Sequence, residues 1–168
     1  MGAMLRAMAD HHLAQLNVGT LNAPLDDPSM AGFVDNLAPI NALADASPGF
    51  VWRYTDEGSD DATDARPFGD DLLINLSVWA SWEALWEFTY RSDHIDLLRR
   101  RREWFRHMRD AGLVLWWIPA GHIPTLDEAG ERLSLLRHHG PTAEAFTFKD
   151  SFGPPKPPTF SPADSTSL

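Results

Sequence analysis

Asp71–Trp79 reads DLLINLSVW. Successive side chains on a strand point to opposite faces. Leu72, Ile74, Leu76 and Val78 therefore share one face, and Leu73, Asn75, Ser77 and Trp79 the other. The first face is wholly aliphatic. The second mixes an amide, a hydroxyl and an indole with a leucine. The same division recurs in HLAQLNV, His12–Val18, where Ala14, Leu16 and Val18 oppose Leu13, Gln15 and Asn17 before Gly19 ends the run. Two more apolar stretches read as strands: FVWRYT at Phe50–Thr55, and LVLWWI at Leu113–Ile118, which Pro119 stops. Alternation in the former sets Phe50, Trp52 and Tyr54 against Val51 and Arg53.

Helices fill the intervals. Asp27 before Pro28 is a capping carboxylate with proline at the first helical position. Met30, Phe33, Val34, Leu37, Ile40 and Leu43 follow at helical spacing, with Pro39 predicted to kink or split the helix. Ser81 caps a helix bearing Trp82, Leu85, Trp86 and Phe88, Asp93 opens a long helix to about Met108, and Thr125 caps Leu126–His139. The order β-α-β-β-α-β with an extra C-terminal helix predicts an α+β, ferredoxin-like fold with a four-stranded antiparallel sheet. The aliphatic face suits the helices. The other face needs a cover, and a second copy of the chain, making a dimeric α/β-barrel, would supply it. Ala145–Lys149 reads as a short extended segment. Residues 1–10 read as a disordered N-terminal segment or cloning remnant, 11–149 as the domain, and 150–168 as a Pro/Ser-rich tail.

The chain's 168 residues suit one domain plus a tail, and the absence of cysteine excludes disulfides, zinc–thiolate sites and a cysteine nucleophile. Fourteen Lys and Arg against 24 Asp and Glu give a net charge of −10, which argues against nucleic acid and anionic membranes as partners. No apolar run approaches the ~20 residues of a membrane span. MGAMLRAMAD is too short and polar for a secretory core, so a cytoplasmic location is the expectation. Positive charge concentrates at Arg99–Arg102, with Arg91, Arg106 and Arg109 nearby. Zinc-protease, nucleophile-elbow and phosphate-loop motifs are missing. The pairs His11-His12 and His138-His139 read as exposed, and Asp60, Asp61 and Asp64 as a solvated loop whose spacing misses the calcium-loop pattern.

The mixed strand face holds the candidate chemistry. An apolar lining with a few convergent polar groups is the composition of a small-molecule cavity. A half-wet sheet face or a dimer interface is the structural alternative. With His94 at zero on a helix of 100° per residue, Leu97, Leu98, Trp104, Phe105 and Met108 fall within about 80°, and Arg101 returns to about 20°. Both polar residues are thus expected inside an apolar stripe. A buried guanidinium needs a partner, either an internal carboxylate or an anionic or carbonyl group of a ligand. His94 has a tunable pKa and could move a proton, although a hydrogen-bonded core histidine fits as well. The candidate catalytic residues are His94 and Arg101. Gln15, Asn17, Arg53, Asn75, Ser77, Trp79 and Trp117 are candidates to bind substrate, and no metal site is expected.

Several stretches together resemble one family: HLAQLNVG (His12–Gly19), PGFVWR (Pro48–Arg53), LLINLSVW (Leu72–Trp79), YRSDHIDLLRRRREWF (Tyr90–Phe105) and LVLWWIPAGHIPT (Leu113–Thr125). They resemble DUF3291, a bacterial family of unknown function, over about residues 11–149. The resemblance implies a dimeric α+β-barrel similar to antibiotic-biosynthesis monooxygenases and haem-handling relatives, and it implies no reaction. Asn17, Asn75, Trp79, His94, Arg101, Glu103, Trp117 and His122 lie inside its motifs without carrying roles over. Three uses of the cavity compete. The first is an enzyme without cofactor, monooxygenase-like or a cyclase or isomerase, acting on an aromatic or polyketide-like compound. The second is a haem protein with His94 as axial ligand and Arg53 or Arg101 on a propionate. The third is a non-catalytic binding or interaction protein. A small-molecule ligand and a homodimer are the expected partners.

Overall fold

The computed structural model describes Gly2 and residues 10–156. The expectation for residues 1–10 falls almost wholly outside the described residues, as does that for the tail beyond residue 156. The elements are β1 (His11–Thr20), a 3-10 turn (Pro28–Met30), α1 (Ala31–Ala46), β2 (Phe50–Arg53), β3 (Leu72–Trp79), α2 (Trp82–Arg91), α3 (His94–Arg99), α4 (Arg101–Trp104), β4 (Leu113–Pro119) and α5 (Leu126–His139). The strands form one sheet in the order β2-β3-β1-β4, every neighbouring pair antiparallel. This is the α+β, ferredoxin-like arrangement. Its register sets Leu13 opposite Trp79, Gln15 opposite Ser77 and Asn17 opposite Asn75, so the mixed faces of the two central strands coincide.

The helices do not take the faces that composition suggests. Ala14, Leu16, Val18, Ile74, Leu76, Val78, Val114, Trp116 and Ile118 pack against Ala129, Leu133 and Leu136 of α5 and against Ala62, Ala65 and Phe68 of the loop after β2. The mixed face instead receives α1 and α2, through Ala44 and Leu85 near Leu13 and Trp79, and the 3-10 turn and α4, through Met30 and Trp104 near Leu73. Among the described residues, only the C-terminal helix lies on the aliphatic side. Among the described residues, elements of this one chain lie on both faces of the sheet. His138 and His139 are exposed as expected, whereas His11 and His12 are half-buried at the start of β1.

Three local expectations also change. Helix α1 runs without a break through Pro39. Pro39 and Asp35 both face solvent, so the carbonyl that loses its intrahelical donor can be hydrated. The long helix expected over residues 93–108 breaks at Arg100 and ends at Trp104, with Phe105 extended. The end of β1 captures the chain there. Arg106 N donates to Thr20 O at 2.9 Å and Asn22 N to Trp104 O at 2.8 Å. The Asn22 amide donates to the carbonyls of Arg102 and Glu103 at 3.2 and 3.1 Å, which satisfies the helix end. In β2, the pairing shifts by one residue between Phe50 and Trp52. This β-bulge leaves Val51 42% exposed and turns Phe50 and Arg53 to the same face, opposite Trp52 and Tyr54.

Gly49 joins α1 to β2 with φ +83°, and a Cβ there would stand 2.5 Å from the Ala84 methyl of α2. Gly49→Ala is therefore expected to cost about 1–3 kcal/mol from backbone strain alone, with the clash added. A lower urea midpoint at unchanged slope would register it.

Candidate functional site

Ala44 of α1 and Leu85 of α2 pack at the Leu13–Trp79 end of the mixed face, and Met30 and Trp104 pack at its Leu73 end, which leaves the middle open. A cavity of about 410 Å3 lies there, within the range of small-molecule sites. Gln15, Asn17, Arg53, Asn75, Ser77, Trp79, His94 and Arg101 all contribute to its wall. Aromatic rings enclose it: Phe33 from α1, Phe50 from β2, Phe88 from α2, Trp104 from α4, and Phe105 and Phe148 from the segments that follow.

The strand residues form a chain of hydrogen bonds. Gln15 Nε2 donates to Ser77 Oγ at 2.7 Å and to Asn75 Oδ1 at 2.5 Å. Trp79 Nε1 donates to the same Ser77 oxygen at 2.9 Å. Both lone pairs of that hydroxyl are then occupied, and its proton is left to donate. Gln15 and Ser77 are 5% and 6% exposed, so these polar groups belong to the interior. The side-chain amide of Asn17 has no hydrogen bond among the described residues. Trp79 is 1% exposed, edge-on to Phe50 and stacked on Phe88. It is as much core as wall.

His94 begins α3, with its ring tilted against Phe88 at 5.0 Å between centroids. Its Nδ1 lies 3.3 Å from the carbonyl oxygen of Thr89. A carbonyl only accepts, so Nδ1 carries the proton and Nε2 keeps the free lone pair. Burial pushes the His94 pKa below the ordinary histidine value, and the bond to Thr89 opposes this only in part. The residue is a neutral imidazole with an available base nitrogen.

Arg101 departs from expectation. The end of the helix at Trp104 leaves its side chain exposed at the cavity wall rather than sunk in an apolar stripe. It makes no ion pair among the described residues. Arg53 is committed elsewhere. Its Nε and Nη2 reach the two carboxylate oxygens of Asp45 at 2.8 and 3.3 Å, and its Nη1 donates to the carbonyl of Asp60. Trp117 is not part of the wall. The returning C-terminal segment lies beside it: Phe146 exchanges backbone bonds with Leu115 at 2.8 and 2.9 Å, and the Trp117 indole donates to Phe152 O at 2.8 Å.

One acidic wall residue escapes a reading by composition. Asp61 lines the cavity, although its segment reads as solvated loop. Burial opposes its ionisation, but bonds from the Thr63 hydroxyl and backbone and from Ser59, with the charge of Arg53, more than offset this and hold its pKa below the usual range. The Asp61-Ala62-Thr63 spacing, which suits a side-chain-to-backbone turn, was the available signal for a fixed rather than a mobile carboxylate.

A family model described as a domain of unknown function, DUF3291, matches residues 12–161. No curated protein matches the chain. Among solved structures, the chain is similar to SnoaB, a cofactor-independent oxygenase from Streptomyces nogalater. The two are 18% identical, the match covers 68% of this chain and 97% of that one, and the TM-score is 0.44. A protein of unknown function from Nitrosomonas europaea matches at 15% identity over 70% and 98% of the two chains, with a TM-score of 0.44. A Pseudomonas aeruginosa protein matches at 13% identity over 68% and 98%, with a TM-score of 0.43.

Proposed function

The chain belongs to the DUF3291 family, and from the geometry of its cavity we propose that it is a small-molecule enzyme that removes a proton from an enolisable or phenolic, largely aromatic substrate. One observation carries this reading. His94 holds its Nδ1 proton on Thr89 O and presents an unprotonated Nε2 from a residue on the cavity wall. General bases work best when neutral near the operating pH and positioned by a second hydrogen bond. The cavity wall also carries groups suited to the product of that step. The Ser77 hydroxyl proton and the free Asn17 amide are donors for a developing oxyanion in a site lined by aromatic side chains.

The step balances simply. Nε2 takes the proton of an acidic C–H, and the C–H electron pair moves toward the adjacent carbonyl to give an enolate. From the enolate, returning the proton elsewhere is an isomerisation, and attack on an internal carbonyl closes a ring. Reaction with dioxygen at a methylene carbon forms a C–O bond and gives a hydroperoxide. Loss of the remaining C–H proton then breaks the O–O bond, so one methylene and one dioxygen become one ketone and one water. The oxygen molecule supplies both the oxidant and the incorporated atom.

The test uses 2-tetralone, an aryl-fused ketone with an acidic benzylic methylene beside the carbonyl. Incubated with the protein in deuterium oxide, it is expected to exchange that methylene well above the buffer rate by proton NMR. Oxygen uptake measured in parallel separates oxygenation from isomerase-type chemistry. Binding of tetralone with exchange at the buffer rate would overturn the catalytic reading in favour of a binding protein.

A further inference from the structure

We propose that the ligand of this cavity carries a carboxylate, and that Arg101 is the residue that selects it. The proposal rests on the cavity being a ligand site, as argued above, but not on any reaction there. The acidic side chains of residues 94–104 are Asp96 and Glu103. Each is already engaged, Asp96 by Arg99 at 3.7 Å and Glu103 by Arg100 at 2.7 Å. Arg100 also lies over the Trp104 ring at 4.7 Å. Arg101 lines the cavity and has none of these partners. The other guanidinium on the wall, Arg53, already holds the Asp45 carboxylate through two nitrogens.

The wall is therefore asymmetric for an anion. Asp61, held ionised, repels negative charge near β2. Arg53 is paired with Asp45, and among the described wall residues Arg101 alone offers a free planar fork. Such a fork matches a carboxylate with two parallel N–H···O bonds, which a lysine cannot reproduce. The chain has a net charge of −10, which works against any anion approaching from solvent. A free cation at the cavity wall of such a protein provides the local attraction an acidic ligand would need.

The experiment compares 2-naphthoate with its neutral isostere 2-naphthamide by titration calorimetry at two salt concentrations. Neither has an acidic C–H, so the result is independent of turnover. The full-length protein is expected to bind the carboxylate at least tenfold more tightly than the amide. Arg101→Gln should bring the ratio to about one while leaving the amide affinity unchanged, and Arg101→Lys should restore only part of it. Arg102→Gln, on a neighbouring residue outside the cavity wall, should keep the ratio within twofold. Equal affinity for the two probes, failure to bind naphthoate, a ratio that survives Arg101→Gln, or equal loss in Arg102→Gln would each overturn the proposal. A protein that exchanges tetralone but shows no preference sinks this inference alone. One that prefers naphthoate but leaves tetralone unexchanged sinks only the catalytic reading.

Discussion

His94→Gln is expected to lower exchange or turnover of an enolisable ketone by about 10²–10⁴-fold, the usual contribution of a positioned general base. Most of its packing should survive, since glutamine retains a polar group near Thr89 and loses only the ring contact with Phe88. The pH dependence distinguishes a base from a merely structural histidine. A base must be unprotonated to act. In the wild type, kcat/KM should therefore fall as pH drops through the His94 pKa, which burial places below the ordinary value. In His94→Gln that acidic limb should disappear rather than shift. Stability follows the same titration. The folded state favours neutral His94, while the unfolded chain takes up a proton near pH 6.5. The contribution to stability is thus fully present above about 6.5 and declines as pH falls below it toward the depressed folded value. A variant that lost stability and activity together, with the acidic limb intact, would identify His94 as a core residue and leave the cavity without its base.

The parts of this molecule legible in the sequence are those in which a residue's own neighbours decide its state. Period-2 alternation placed Gln15, Asn17, Asn75 and Ser77 on one face, and pairing across β1 and β3 put them side by side. Ser81 and Thr125 cap their helices as their spacing predicts, each hydroxyl accepting at 3.1 Å from a backbone N–H three residues on. What stayed hidden depends on distant chain. No local signal distinguishes a helix running to Met108 from one that β1 seizes at Phe105, because the deciding bonds come from Thr20 and Asn22. A single inserted residue at Val51 is equally silent, yet it decides that Arg53 faces the site and meets Asp45. The face taken by each helix was ambiguous for another reason. An aliphatic sheet surface is satisfied by any apolar stripe, and α5 supplies one as readily as α1 or α2.

That last point has a direct consequence for stability. Leu133 of α5 is 4% exposed and faces the aliphatic side of the sheet in the cluster of Leu16, Val114 and Trp116. Leu133→Asp should cost about 3–5 kcal/mol, because it leaves an unpaired carboxylate buried with no cation in that cluster. At this chain length, roughly 2–4 °C of thermal midpoint accompanies each kcal/mol, so a drop of about 6–20 °C is expected. Ser134→Asp, one residue on and exposed, should stay within about 0.5 kcal/mol and controls for the added charge. The pair also tests how the sheet is covered. If α5 shields the aliphatic face within each chain, the midpoint of Leu133→Asp should be depressed equally at every protein concentration. If that face were instead buried by a second copy, with α5 displaced, the substitution would have little effect and the wild-type midpoint would rise with concentration. The cavity lies on the opposite side of the same sheet, held in register by β1 and β3.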